Sequence, residues 1–297
     1  MKFGYYPGCS LHATAREFSE SLLTLVEALD VQLDEVRDWA CCGASSAHAT
    51  NHLLGVALPA RTLAIAQGQG LDNIVAPCAA CYGRLAGASH QLQEDPALER
   101  EVAEILQRPI DNKPEIINVV GFLQDLLPAI RERVSKPLKD VKVACYYGCL
   151  LLRPHNVTRF DDPEQPSSME QVCKAVGAVP VPWNKRIECC GAGFSLSRTG
   201  SVIRMGREIL EDARAAGAEV IVVGCPMCHS NLDMRQPAMN RGQQGADEIP
   251  VLYVTELVGL ALGLDPQAMG LHRHYVSTKP LLDRLSTALV ASEGEVP

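Results

Sequence analysis

The chain has 297 residues, enough for about two domains that each bury a core. Its net charge is −8 without long runs of one sign, so it lacks the basic patch that nucleic-acid binding requires. We find no export signal and no apolar run long enough to span a bilayer, and we expect a cytoplasmic protein without a transmembrane segment. Twelve cysteines in such a chain favour metal or redox chemistry over disulfides, because the cytosol keeps thiols reduced.

Segments with strand and helix character alternate through the first half of the chain. Apolar residues recur at helical spacing in the helical segments, and the short apolar runs between them are typical of buried strands. The predicted strands cover residues 2–6, 31–36, 74–76 and 116–119, and the predicted helices cover residues 12–29, 52–66, 98–106 and 122–127, with one more beyond Cys81. Pro59 is expected to bend or begin the second of these helices, and Gly68 and Gly70 to end it.

The second half repeats this order. Its predicted strands cover residues 141–147, 179–181, 220–223 and 251–254, and its predicted helices cover residues 169–176, 198–215 and 257–262, with another beyond Cys228. The polar residues 135–140 separate the halves and predict domains at 1–138 and 139–297. The alternation favours an α/β fold with parallel strands, built from two pseudo-symmetric repeats of strand-helix units that carry cysteines at strand ends.

Ten of the cysteines form two sets with the same order: one after the first strand, an adjacent pair followed by glycine, and a C-x-x-C pair. The first set is Cys9, Cys41, Cys42, Cys78 and Cys81, and the second set is Cys149, Cys189, Cys190, Cys225 and Cys228. The gaps before the adjacent pairs hold 31 and 39 residues, and the gaps after them hold 35 and 34. Adjacent thiols reach one centre only if the backbone turns, which the following glycine permits.

Five thiols in each set indicate an iron-sulfur cluster of unusual shape or with one bridging ligand, because a zinc site or a cubane cluster takes four. Structural zinc, disulfides and a redox-active dithiol at one C-x-x-C pair are the alternatives. Each C-x-x-C pair follows a strand and opens a helix, so its backbone N–H groups would point at an anionic cluster. Cys145 and Cys173 fit neither set and are expected in the core, although Cys145 lies only four residues before Cys149.

The two cysteine patterns, with the flanking residues 5–9 and 146–154, resemble the cysteine-rich CCG domains in the B subunit of heterodisulfide reductase over nearly the whole chain. Single CCG domains also occur in subunits of succinate dehydrogenase-like, fumarate reductase and lactate or glycolate oxidation enzymes. The resemblance implies two noncubane 4Fe-4S clusters, one on each five-cysteine set. It also implies that these ten cysteines act in catalysis through their clusters.

In that family a mixed disulfide, in methanogens that of coenzymes M and B, is cleaved between the two clusters, each of which captures one sulfur. The resemblance implies that electrons come from a flavoprotein partner through a ferredoxin-like iron-sulfur partner, both in the same complex. The chain itself contains no dinucleotide-binding glycine motif and no ferredoxin-type cysteine run, so we expect such partners to supply the electrons. Two alternatives stay open: a complex that oxidises carrier-bound sulfur, and a non-catalytic role in electron transfer.

Several residues near the cysteines are candidates for contact with a substrate. Arg153, Lys185 and Arg186 would bind an anion, although charged side chains are more often solvated at the surface. His155 and His229 would protonate a leaving thiolate, although a structural histidine held by hydrogen bonds is equally expected.

Overall fold

The structure, a computed structural model, describes residues 1–44, 47–111, 113–242 and 247–293, with side chains in the last helix described up to residue 286. The strands in these residues, numbered β1 to β8, are Lys2–Tyr5, Gln32–Glu35, Asn73–Val75, Glu115–Ile117, Lys142–Tyr146, Val179–Pro180, Val220–Val223 and Val251–Tyr253. The α-helices, numbered α1 to α15, are Gly8–His12, Arg16–Ala28, Ala47–Thr50, His52–Gly68, Ala79–Glu94, Pro96–Leu106, Val119–Asp125, Leu127–Arg133, His155–Thr158, Ser168–Ala175, Thr199–Ala215, Pro226–Met234, Gln236–Met239, Val254–Leu262 and Lys279–Glu293. Short 3-10 helices cover Ala192–Phe194 and Leu271–Arg273.

The strands form two four-stranded sheets with the same topology. The order is β2-β1-β3-β4 in the first sheet and β6-β5-β7-β8 in the second, and all neighbouring strands are parallel. Each sheet thus repeats the other strand for strand, with helices in the connections. The predicted α/β fold of two repeated units is confirmed.

Two element boundaries differ from the predictions because a side chain caps a helix. Val119 is predicted to end a strand, but it begins α7, where the Asn118 side chain accepts hydrogen bonds from two N–H groups of the first turn at 2.9 and 3.0 Å. Val254 likewise begins α14, where Glu256 accepts a hydrogen bond from the backbone N–H of Tyr253 at 2.8 Å. These caps outweigh the strand preference of valine.

Two helices in the first half differ in detail from the predictions. The helix predicted over residues 12–29 is α2, which begins only at Arg16, because the N–H groups of residues 13 and 15 turn back to the Ser10 carbonyl oxygen at 3.1 and 2.8 Å after the short helix α1. Pro59 does not begin α4, because Asn51 caps that helix well before it and the helix continues through the proline.

The two halves pack together through two equivalent pairs of helices. Helix α2, which lies between the first two strands of its repeat, packs against α14, which follows the last strand of the other repeat. Helices α10 and α7 make the equivalent contact with the halves reversed. Because both contacts join the same positions of the repeat, the halves are related by a pseudo-twofold axis.

Buried side chains join α2 to the second half. The rings of Phe18 and Tyr253 stack with centroids 4.1 Å apart and an interplanar angle of 8°. The hydroxyls of Ser21 and Thr255 lie 2.7 Å apart, and the Tyr253 hydroxyl donates to the Glu17 carboxylate at 3.3 Å. The junction therefore combines apolar packing with satisfied polar groups, as the interior of one domain does.

The connection between the halves is tied to the second repeat. The backbone N–H groups of residues 135 and 136 donate to the Ala261 carbonyl oxygen at 3.1 and 2.8 Å. One core of buried apolar side chains continues across this region. The limits 1–138 and 139–297 stay a prediction, and residues 294–297 lie outside the described residues. Across the described ranges, no helix combines the length and the apolar character needed to cross a membrane.

Phe18→Ala is expected to lower the free energy of unfolding by about 3–5 kcal/mol, the usual cost of deleting a buried aromatic ring. Phe18 is fully buried and stacks across the junction. Leu23→Ala on the same helix is the control, because Leu23 is 45% exposed and its loss should change stability by within about 0.5 kcal/mol. Anaerobic denaturant unfolding followed by circular dichroism measures both variants. Equal losses of unfolding free energy in the two variants would contradict a stabilising role for this junction.

Candidate metal centre at the junction of the halves

The first set of cysteines converges at the carboxyl ends of the strands in the first sheet. Cys9 lies in α1 directly after β1, and Cys41 and Cys42 lie in the loop that follows β2. Cys78 immediately precedes α5, and Cys81 lies in the first turn of that helix. Parallel strands end at one edge of a sheet, so these three connections meet there.

The second set occupies the equivalent positions of the second sheet. Cys149 follows β5, the adjacent pair follows β6, and the C-x-x-C pair begins α12. The pattern of exposure is also alike, since each set has an outer part and a buried inner part. The outer cysteines are Cys9, Cys41, Cys149 and Cys189, and the buried ones are Cys42, Cys78, Cys81, Cys190, Cys225 and Cys228.

Thiols within each set lie close enough to share a metal centre. The sulfur–sulfur distances are 3.5 Å for Cys42 and Cys81, 3.5 Å for Cys190 and Cys228, and 3.9 Å for Cys149 and Cys189. Two thiolates on one tetrahedral metal ion, with bonds of about 2.3 Å, would lie about 3.8 Å apart. The donor atoms therefore fit metal ligation, and five in each set fit a centre with more than one metal ion.

A tyrosine hydroxyl fixes the loop of the adjacent cysteines in each half. The Tyr6 hydroxyl donates to the Ala40 carbonyl oxygen at 2.7 Å, and the Tyr146 hydroxyl donates to the Glu188 carbonyl oxygen at 2.6 Å. Each acceptor is the residue directly before the cysteine pair. Burial, with the neighbouring thiols, raises the pKa of both phenols, so each keeps the proton that it donates.

Gly8 and Gly148 form equivalent turns beside the C-x-x-C thiols. Their φ angles are +66° and +64°, in the left-handed region. A Cβ atom would lie 2.9 Å from Cys81 Sγ at the first position and 3.1 Å from Cys228 Sγ at the second. Glycine is thus needed both for the backbone conformation and to leave room for sulfur.

Hydrogen bonds favour the thiolate form of one cysteine in each set. The pKa of Cys189 is lowered to about 6, mainly by its hydrogen bond with the Cys149 thiol and further by the Gly191 N–H group, which lies 3.3 Å from Cys189 Sγ. The pKa of Cys42 is lowered to about 7, mainly by its hydrogen bond with Cys81. Each set therefore holds a thiol that ionises near neutral pH, and the thiolate is the form of cysteine that binds metals.

The two sets approach each other at the junction through Cys78 and Cys225, the first cysteine of each C-x-x-C pair. Each thiol shifts the pKa of the other: that of Cys78 is raised, chiefly by Cys225, and that of Cys225 is lowered, first by Cys228 and then by Cys78. Backbone N–H groups of the first turn of α12 also act on Cys225, as the sequence predicts for a helix start. The pseudo-twofold packing therefore brings the two cysteine sets side by side.

Two residues beside the thiols are not suggested by the sequence analysis. In α12, Asn231 Nδ2 lies 3.1 Å from the Cys190 carbonyl oxygen and 3.7 Å from its Sγ. Arg84 holds the equivalent position in α5, and its charge adds to the effect of Cys81 in lowering the Cys42 pKa. Their spacing in the sequence could have indicated both residues, because each lies three positions after the second cysteine of a C-x-x-C pair and residues at that spacing share a face of a helix.

Cys145 and Cys173 lie in the core, outside both sets. Both are fully buried, with their sulfur atoms 3.7 Å apart. Trp183 Nε1 donates to the Cys145 carbonyl oxygen at 3.1 Å. Burial is the main cause that raises the Cys145 pKa, so this cysteine remains a neutral thiol.

The cations considered for substrate contact are each paired with a carboxylate. The ion pairs are Arg153 with Glu164 at 2.8 Å, Lys185 with Glu208 at 3.4 Å, and Arg186 with Glu170 at 3.8 Å. His155 is exposed at the start of α9, whereas His229 is buried and its Nε2 lies 3.0 Å from the Val251 carbonyl oxygen.

Residues 3–86 and 143–233 match the family of cysteine-rich domains designated CCG. The chain belongs to the CCG family. The two matched segments cover more than half of the chain, and each contains one complete five-cysteine set. The sequence repeat, the sheet repeat and the family match thus coincide.

Two curated relatives align with this CCG protein along nearly their whole length. It is 31% identical over 283 residues to the 8-methylmenaquinol:fumarate reductase membrane anchor subunit of Wolinella succinogenes, covering 94% of this chain and 99% of the relative. It is 29% identical over 294 residues to the B subunit of the ferredoxin/F(420)H(2)-dependent CoB-CoM heterodisulfide reductase of Methanosarcina acetivorans, covering 96% of this chain and 97% of the relative.

A solved structure shares the fold of the CCG protein. A hypothetical protein from Helicobacter pylori superimposes with a TM-score of 0.73 at 13% identity, covering 93% of this chain and 52% of that one. The chain therefore spans about half of that structure, and the likeness concerns the fold alone.

Gly8→Ala is expected to remove about half of the bound metal, because the first set alone would be disrupted. The new Cβ would lie 2.9 Å from Cys81 Sγ, and a left-handed L-residue costs roughly 1–2 kcal/mol. Gly87→Ala in α5 is the matched control, since no heavy atom lies within 4 Å of its added Cβ. Metal and acid-labile sulfide per chain, assayed after anaerobic purification, report the effect. Wild-type metal content in Gly8→Ala would show that this turn does not shape the site.

Proposed function

We propose that this CCG protein is the iron-sulfur subunit of a heterodisulfide reductase-like complex, with one noncubane 4Fe-4S cluster on each five-cysteine set. The observation that supports it is the pair of equivalent five-thiol sets that meet at one junction. Five thiols exceed what a zinc site or a cubane cluster uses. When bound, the clusters would supply one-electron transfer and iron sites with affinity for sulfur.

The chain's own residues would hold the ligands in place and define where a substrate lies. The Tyr6 and Tyr146 hydroxyls fix the loops of the adjacent cysteines, and Cys78 and Cys225 bring the sets together. Reduction of a disulfide takes two electrons and two protons and yields two thiols. Two sets side by side would accommodate one of the two sulfurs each, which we propose as the reason for the duplication.

The relative from Methanosarcina acetivorans, named as the B subunit of a heterodisulfide reductase, supports an oxidoreductase role within a multi-subunit complex. We propose that two partners in the same complex, a ferredoxin-like iron-sulfur protein and a flavoprotein, supply the electrons. The complex would act in the cytoplasm.

A second candidate is an electron-transfer role in a fumarate reductase-type complex. The alignment with the Wolinella succinogenes protein favours it, since that relative is 31% identical over nearly its whole length. In this role the two sets would relay electrons, and no disulfide would be a substrate. The two candidates share the metal content and differ in the reaction.

Anaerobically purified protein is expected to contain about eight irons and as many acid-labile sulfides, four of each per five-cysteine set. Cys42→Ser should lose about half of this iron, because its set lies in a separate repeat. Cys145→Ser is the control, because Cys145 lies in the core outside both sets. Iron and sulfide assays with metal analysis measure the content. Stoichiometric zinc without sulfide in the wild type would contradict the proposal.

Cys41→Ser and Cys189→Ser are each expected to abolish reduction of the disulfide of coenzymes M and B, because one sulfur of the substrate would go to each set. The rate is measured with a chemically reduced viologen dye as electron donor. Electron paramagnetic resonance checks that the other cluster survives, and circular dichroism checks the fold. Half of the wild-type rate in either variant would contradict a reaction that needs both sets. No disulfide reduction by the fully loaded wild type would favour the electron-transfer role.

A further inference from the structure

A second group of metal-binding side chains lies outside the cysteine sets. His229, Asp233 and His274 each present one ligand atom, and these three atoms lie within 4.8 Å of one another. His229 and Asp233 are one turn apart on α12 and share a face of that helix. His274 follows the 3-10 helix Leu271–Arg273. All three side chains line one cavity of about 620 Å³.

Each of these side chains is held on its far side by a different part of the fold. His229 Nε2 lies 3.0 Å from the Val251 carbonyl oxygen in β8, and His274 Nε2 lies 2.8 Å from Glu256 Oε1 in α14. Asp233 accepts hydrogen bonds from two backbone N–H groups just after His274, at 2.7 and 3.0 Å. A histidine that donates one ring N–H to a carbonyl or carboxylate turns its other nitrogen toward a ligand position, as metal-bound histidines do.

The three ligand atoms surround a gap and do not bond to one another. Among the described residues, neither imidazole pairs with Asp233 within 4.0 Å, and the partner of His274 is Glu256. His274 Nδ1 is buried and has no hydrogen-bond partner in the described part of the chain, which is unfavourable for a polar group. Ligands of a tetrahedral zinc ion lie about 3.4 Å apart, given bonds of about 2.0–2.2 Å. Small side-chain rotations would therefore close the gap around an ion.

The charge of the surroundings also suits a cation. Three carboxyl side chains, those of Asp233, Glu256 and Glu17, are buried near this point. A dication would offset the buried negative charge. A protonated His274 beside Glu256 is the alternative source of positive charge.

Among its described residues, the first half of the chain has no equivalent of this group. Tyr82 stands at the position of His229, and its hydroxyl donates to the Thr158 carbonyl oxygen at 2.8 Å. Ala86 stands at the position of Asp233. The duplication that explains the cysteine sets therefore does not explain these side chains, which belong to the second half alone.

We propose that His229, Asp233 and His274 bind one divalent transition-metal ion of the zinc type, separate from the cysteine sets. Two imidazoles and one carboxylate match the catalytic class of zinc sites, in which water or a substrate takes the fourth position. The cavity lined by the three ligands gives a small molecule access to that position. The site does not depend on which clusters the cysteines hold.

The proposal is tested by zinc X-ray absorption on the anaerobically purified full chain, with its clusters in place and one equivalent of Zn²⁺ added. The expected spectrum shows nitrogen and oxygen ligands at about 2.0–2.1 Å, with the outer scattering of two imidazole rings. Zinc bound by a cysteine set would instead show sulfur at about 2.3 Å, and that result would overturn the proposal. Failure to retain zinc through gel filtration would overturn it as well.

Asp233→Asn and His274→Gln each replace one ligand at nearly constant size. Both are expected to weaken Zn²⁺ binding by more than the roughly 10–100-fold loss typical of removing a supporting partner. His52→Gln is the matched control, because it removes an exposed histidine that bonds Gln91. Competition with a chromophoric chelator measures the affinity, and iron content with circular dichroism checks the fold.

Wild-type zinc affinity in both ligand variants would overturn the proposal and leave His274 as a protonated partner of Glu256. If either variant fails to fold, the wild-type spectrum decides alone, since only this site predicts two imidazoles without sulfur.

Discussion

The packing of each half's early helix against the helix that follows the other half's last strand is the constraint on which the rest of the structure depends. Helix α2 on α14 and helix α10 on α7 fix the two sheets about a pseudo-twofold axis. Strand ends carry the cysteines, so this axis also decides where the two sets lie relative to each other. The stacked rings of Phe18 and Tyr253 and the paired hydroxyls of Ser21 and Thr255 hold the arrangement in a buried environment, where a shift in packing is costly. The approach of Cys78 to Cys225 is a consequence of this packing.

Within each half, the backbone positions the thiols. The left-handed turns at Gly8 and Gly148 leave space that a Cβ would fill, and the tyrosine hydroxyls fix the residues before the adjacent cysteines. Crowded thiols form hydrogen bonds with one another, which lowers the pKa of one thiol of a pair and raises the pKa of the other. Bringing so many sulfurs together is unfavourable without a cation, and the free energy of metal binding would offset that cost.

The repeats are alike in their cysteines but not in the residues around them. Arg84 places a positive charge near the first set, whereas the neutral amide of Asn231 holds the equivalent position near the second. Local charge and hydrogen bonds to sulfur tune the reduction potential of an iron-sulfur centre, so the two sets would have different potentials. The second half also carries His229 and Asp233, where the first has Tyr82 and Ala86. A duplicated framework thus supports two unequal sites.

The sequence by itself determined the strand and helix alternation, the two repeats and the membership of each five-cysteine set. These features depend on local apolar periodicity and on spacing along the chain, which a sequence displays directly. Helix starts at Val119 and Val254 were decided by side-chain caps that compete with strand propensity. Only the tertiary structure brought Cys78 to Cys225, paired the cations with carboxylates and joined His274 to a helix far from it in sequence. Such contacts depend on how the halves pack, and side chains distant along the chain carry no local signal of it.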